Sequence, residues 1–179
     1  MNLPNKLTVF RVILIPFFVL FMQPYFGTTG RYIALAIFII ASLTDMLDGK
    51  IARKYNLITN FGKLMDPLAD KLLVCTAMLC LMDIDLLPAI VVIIIICREF
   101  IISAFRLIAA NNNIVIAAGI WGKMKTVSQM VMVIVLLIHF DHPAYHMLET
   151  TLIIIATALT VISLVDYLVK NKDVVKDQN

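Results

Sequence analysis

A chain of 179 residues is long enough for one soluble core, but 61% apolar residues and a mean hydropathy of +0.96 exclude that class, since soluble domains use roughly 45–50% apolar residues. The composition defines an all-α integral membrane protein with a single domain over residues 1–179. The net charge of +3 comes with no basic arm or low-complexity tract, which argues against nucleic acid as a partner.

Residues 1–6 lack a basic region leading to a cleavage site, so the first apolar run reads as a retained helix. Uncharged runs cover residues 12–30, 32–44, 72–82, 86–97, 126–140 and 150–165. Only the first approaches the ~20 residues that cross a ~30 Å hydrocarbon layer. The others span only if each helix continues through its charged flank, with those charges at an interface or in a wet cavity. Short breaks are expected at Gly27-Thr28-Thr29-Gly30, at Asp83-Ile84-Asp85 ahead of Pro88, and at Asp141-His142-Pro143.

Six helices laid alternately out and in put every charged end on one side. Lys6 and Arg11 open the first, Asp45 to Lys54 close the second, and Lys63 to Lys71 open the third. Arg98, Glu99 and Arg106 close the fourth, Lys123 and Lys125 open the fifth, and Asp166, Lys170 and Lys172 close the sixth. Of the 15 Lys and Arg residues, only Arg31 falls opposite. The positive-inside rule makes the crowded side cytoplasmic. The expected architecture is a six-transmembrane-helix bundle with a polar cytoplasmic cavity and both termini in the cytoplasm.

Within that frame Asp45, Asp48, Asp66 and Asp70 stand out. Helical spacing puts Asp45, Asp48, Gly49 and Ala52 on one stripe and Asp66 and Asp70 on one face of the next helix. Four facing carboxylates would repel and retain protons unless cations balance them. An all-oxygen donor set suits Mg²⁺, Mn²⁺ or Ca²⁺, and two ions ~3.5–4 Å apart would clamp a phosphoryl displacement. Gly49 and Ala52 leave room for a phosphate-bearing ligand, and Arg53 and Lys63 could bind its oxygens. Blander readings exist for each part: Asp66 before Pro67 as a helix cap, Gly49 and Gly62 as packing contacts, and Asp45 or Asp48 in a salt bridge with Lys50 or Arg53. They leave too much charge unexplained for the four acids together.

The pattern Asp45-x-x-Asp48-Gly49-x-x-Ala52-Arg53, eight residues, Gly62-x-x-x-Asp66-x-x-x-Asp70 matches the signature of the CDP-alcohol phosphatidyltransferases at every specified position, and the chain resembles that family. The resemblance implies attack of an alcohol on the lipid-linked phosphorus of a CDP-lipid, with CMP released. It implies two Mg²⁺ or Mn²⁺ ions held by Asp45, Asp48 and Asp66, and Asp70 as ligand, catalytic base or both; spacing alone does not assign a base. It implies that Gly49, Ala52, Arg53 and Gly62, with Thr8 of the opening segment, line the CDP and diphosphate site.

Arg98 and Arg106, eight apart on the fourth helix, together with Lys125 and Lys63, would form a basic pocket for an anionic acceptor. Lys123 also reads as an ordinary flank, and Glu99 could neutralise Arg98. The segments Leu3-Pro4-Asn5-x-Leu7-Thr8-x-x-Arg11, Arg98-Glu99-Phe100 and Gly122-Lys123-x-Lys125-Thr126 with Gln129 are similar to the bacterial branch of the family that uses CDP-diacylglycerol and sn-glycerol 3-phosphate. That likeness implies a multi-pass protein of the bacterial cytoplasmic membrane and a homodimer among membrane lipid. A cardiolipin-type or inositol-phosphate-type acceptor fits a similar pocket; a membrane prenyltransferase and a metal-ion transporter are more distant alternatives.

Other features read as structural. Cys75, Cys80 and Cys97 lie in apolar runs without C-x-x-C spacing and behave as small hydrophobes. His139, His142 and His146 fall at an interrupted turn, which argues against zinc.

Overall fold

Buried positions recur every three or four residues along each apolar run, and the chain answers with helices. The computed structural model describes residues 3–54, 60–111 and 119–171; of the sequence-derived site residues, the side chains of Asp48, Gly49, Ala52, Arg53, Gly62, Lys63, Asp66 and Asp70 lie outside the described set. Among the described residues there are six α-helices and no strand: α1 (Leu3–Phe21), α2 (Gly27–Lys54), α3 (Asn60–Asp83), α4 (Ala89–Asn111), α5 (Ile120–Ile138) and α6 (Pro143–Lys170). Each helix does run on through its charged flank, α2 to Lys54 and α6 to Lys170.

Three stretches, Pro24–Asp45, Ile120–Ile138 and Pro143–Lys170, are long and apolar enough to cross a membrane. The molecule's surface agrees with a lipid surrounding, because large apolar side chains such as Ile90, Ile93, Phe100, Leu107, Ile154 and Val165 are exposed while Arg11, Arg98, Lys125 and Gln129 are buried. Such an inversion is unsustainable in water.

The chain divides into two compact units. In the first, residues 1–86 with 133–139, α1 packs against both α2 and α3. Its buried stripe runs Asn5, Thr8, Arg11, Ile15, Phe18, Met22, so the same helix face is polar at one end and apolar at the other. Ala34, Phe38 and Ala41 of α2 and Ala69, Leu73, Ala77 and Leu81 of α3 complete the core. The Phe18 and Phe38 rings meet at 6.3 Å and Arg11 meets Asp45, which makes α1 and α2 antiparallel.

The second unit, residues 87–132 with 140–179, holds α4, the first part of α5, and α6. Arg98 and Arg106 reach Ser163 and Tyr167 in the same order, so α4 and α6 run parallel. The contact of Gln129 with Thr160 shows α5 returning between them. Within each unit, then, the charged helix ends gather at one end, as the flank argument requires.

The first break differs from expectation. Gly27-Thr28-Thr29-Gly30 is the opening turn of α2, and the chain reverses earlier, through the 3₁₀ turn Pro24–Phe26. Gln23 is extended (ψ 143°), as a residue before proline must be, and Gly27 takes φ +54°, the left-handed region that glycine enters freely. A Cβ at Gly30 would stand 2.4 Å from the Phe21 carbonyl oxygen and 2.3 Å from the Phe26 Cβ. Gly30→Ala is therefore expected to cost about 1–3 kcal/mol, the usual range for overpacking, read as a lower thermal midpoint in detergent; an unchanged midpoint would show that the turn can yield. The other two breaks fall where expected, with Asp85 at φ 59° and His142 capping α6 by accepting from the Ala144 N–H at 3.2 Å.

Candidate active site

In the first unit the acids sit on two helices that touch. Asp45 and Asp48 lie on α2, Asp66 and Asp70 on α3, and the two helices are in contact. Because α3 begins at Asn60, Asp66 lies well inside the helix, and the cap reading is excluded. The side chains of Asp48, Asp66 and Asp70 are outside the described residues, but that of Asp45 is not. Its Oδ1 lies 2.5 Å from the Arg11 guanidinium.

Arg11 is fully buried while Asp45 keeps 38% of its side-chain surface. A buried guanidinium is tolerated only beside a counter-charge. Asp45 thus presents one side to Arg11 and retains surface on which a second cation can be held, which fits a hard-metal donor. Thr8, one turn before Arg11 on the same stripe, is fully buried too, as is most of Asn5. The opening segment singled out in the sequence is therefore a polar helix face ending at Asp45.

In the second unit Arg98 and Lys125 are brought together by Glu99. Arg98 donates to Glu99 Oε1 at 3.0 Å and to Ser163 Oγ at 3.0 Å, and the Lys125 ammonium pairs with the same Glu99 oxygen. Ser163 donates in turn to the Thr160 carbonyl at 3.0 Å, and Gln129 donates to the Thr160 hydroxyl at 3.1 Å. Glu99 thus joins two cations in a buried polar layer. Among the described residues, Arg98 Nε and the Tyr167 hydroxyl are buried without a partner. Unmet buried polar groups are costly, and a bound ligand, ion or water is one way to satisfy them.

Arg106 does not join this network. It stands about 12 Å further along α4, at ~1.5 Å per residue, with its guanidinium 5.9 Å from the Tyr167 ring centroid, a cation–π distance. Lys123 is exposed, consistent with an ordinary flank, whereas Lys125 is buried. Lys63 is outside the described side chains.

Sequence reasoning missed two partners. Arg11 passed as a flanking charge, although it continues the i, i+3, i+4 stripe of Ile15, Phe18 and Met22 and so had to be buried beside an acid. Glu99 passed as a neutraliser of Arg98, whereas it holds Lys125 as well. Two of the three histidines lie in the second unit: His142 caps α6, and His146 contacts Asp141 at 3.4 Å and Glu149 at 3.1 Å.

Among the described residues the chain is helical with an apolar surface, as suits a membrane protein. The family model for CDP-alcohol phosphatidyltransferase matches residues 1–162, and the chain belongs to this family. It is 44% identical over 193 residues to the CDP-diacylglycerol–glycerol-3-phosphate 3-phosphatidyltransferase of Bacillus subtilis, covering 99% of both chains. The Haemophilus influenzae protein of the same name is 40% identical, over 93% of this chain and 91% of its own. The Rickettsia typhi protein of that name is 40% identical over 72% of each.

Proposed function

We propose that this chain transfers the phosphatidyl group of CDP-diacylglycerol to sn-glycerol 3-phosphate, giving phosphatidylglycerophosphate and CMP. Full-length similarity to enzymes named for that reaction supports the donor and acceptor. The single structural observation that supports the acceptor is the buried Arg98–Glu99–Lys125 cluster, whose two cations and unmet Arg98 Nε suit a phosphate monoester. Arg106 is proposed as a further acceptor contact from α4, and the expectation for Lys63 falls on a side chain outside the described residues.

A hydroxyl of glycerol 3-phosphate attacks the phosphorus that bears the diacylglycerol, the bond from that phosphorus to the CMP phosphate oxygen breaks, and CMP leaves. Asp70 takes the hydroxyl proton. Asp45, Asp48, Asp66 and Asp70 would hold Mg²⁺ or Mn²⁺, two ions, which when bound supply positive charge to the diphosphate oxygens. Thr8, Gly49, Ala52, Arg53 and Gly62 seat the nucleotide and diphosphate.

The same reading has six helices crossing the bacterial cytoplasmic membrane, both termini and the polar cavity on the cytoplasmic side, and a homodimer. The gathering of basic ends within each unit supports the orientation. The test is CMP release by purified protein given CDP-diacylglycerol, Mg²⁺ or Mn²⁺, and a panel of alcohols. Glycerol 3-phosphate is expected to be preferred; preference for inositol phosphate or phosphatidylglycerol would reassign the acceptor. Arg106→Ala is expected to raise the KM for glycerol 3-phosphate about tenfold with little change in kcat, the loss of one charge-assisted contact made equally in ground and transition states. An unchanged KM would remove Arg106 from the pocket.

A further inference from the structure

A cavity of about 340 Å³ opens in the first unit where α1 ends and α2 begins. It lies 14 residues along α2 from Asp45, about 21 Å at the helical rise, and is a different place from the acid cluster. Phe21, Met22 and Leu86 give it an apolar wall; Gln23, Thr28 and Arg31 give it polar groups.

Arg31 is the cation that the sequence places alone at this end. One of its terminal N–H groups donates to the His139 carbonyl at 3.3 Å, a long bond, and its Nε is buried with no partner among the described residues. Arg31 lines the cavity, and a guanidinium at a cavity wall suits an oxyanion. Asp83 and Asp85 are exposed and are not part of the lining.

The surroundings identify which oxyanion. A free phosphate would surrender hydration to an apolar wall, whereas a lipid phosphodiester brings chains that need one. Phe17 and Leu20, on the α1 surface leading to the cavity, are half exposed. Tyr25, 92% exposed, and Phe26 lie in the chain between the lining residues Pro24 and Gly27, and exposed aromatic side chains favour headgroup level. We propose that this cavity binds the phosphodiester headgroup of a phospholipid, with Arg31 as its anchor and the chains lying along α1.

The test uses the full chain in a maltoside detergent, titrated separately with short-chain phosphatidylcholine, short-chain phosphatidylglycerol and inorganic phosphate. Amide hydrogen exchange across residues 23–31 is the local readout and native mass spectrometry counts retained lipid. Both lipids are expected to slow exchange there while inorganic phosphate does not, and Arg31→Gln is expected to weaken lipid binding about tenfold, with Arg31→Lys between. Thr28→Trp, which fills the cavity and leaves Arg31 in place, is expected to abolish the protection and stands in if Arg31→Gln fails to fold. Lipid protection that survives both Arg31→Gln and Thr28→Trp would overturn the proposal. Equal protection by inorganic phosphate would overturn its lipid assignment.

Discussion

Asp70→Asn is expected to lower CMP release by about 10²–10⁴-fold, the range that a positioned general base supplies, while CDP-diacylglycerol binding weakens only severalfold. The asymmetry follows from what the substitution removes. An asparagine keeps one oxygen for a cation but has no lone pair basic enough to take a proton. In the proposed mechanism, binding leans on Asp45, Asp48, Asp66, Arg53 and the small residues of the signature, whereas proton removal is assigned to Asp70, one turn beyond Asp66 on α3. Comparing equilibrium binding of the donor with single-turnover CMP release separates the two. Equal loss of both would make Asp70 a ligand and leave the base elsewhere.

The second large effect concerns the Arg11–Asp45 pair. Removing one partner of a buried ion pair costs about 3–5 kcal/mol, because the other charge is left uncompensated. Asp45→Asn takes the counter-charge from the fully buried Arg11 guanidinium and should fall near 3 kcal/mol, whereas Arg11→Met leaves behind Asp45, which keeps 38% of its side-chain surface, and should fall well below that range. The double variant Arg11→Met with Asp45→Asn replaces charge on both sides and is expected to be more stable than the sum of the single losses predicts, by about 1–3 kcal/mol of coupling. Unfolding in detergent micelles measures all four corners. Strict additivity would mean that the two side chains are neighbours without being partners.

How far the sequence revealed this arrangement depends on which physical signal each part leaves. Helix extent was readable, because charges at the flanks of short apolar runs had to belong to the same helices, and α2 and α6 do extend to Lys54 and Lys170. The first reversal was misplaced because glycine content at residues 27–30 outweighed the stronger breaker, Pro24 with its extended predecessor Gln23. Gly27 does mark the turn, through its positive φ, but Gly30 serves close packing inside α2.

Four carboxylates in an apolar span mark the acid cluster as an expectation of the sequence, and of the four only the Asp45 side chain falls within the described residues. Its partner Arg11 was not readable, since 34 positions separate it from Asp45 and nothing in a single sequence pairs them. The Lys125–Glu99 contact was hidden for the same reason. The distinction between Lys123 and Lys125 does follow from periodicity: Lys125, Gln129 and Met132 form one buried stripe, from which Lys123 is excluded.

Arg11 also bears on how the proposed metal site would stand before an ion arrives. A cluster of acids balanced only by dissolved ions would hold together only where those ions are plentiful. Here a covalently tethered cation permanently occupies part of that role, so assembly in the bilayer can precede loading. Chelation then acts on rate without touching architecture: EDTA is expected to stop CMP release while the thermal midpoint moves by only a few degrees, the size of a ligand-linkage effect on a folded protein, and added Mg²⁺ or Mn²⁺ restores turnover without refolding. Unfolding on chelation would show instead that the tether is too weak to stand in for the ion.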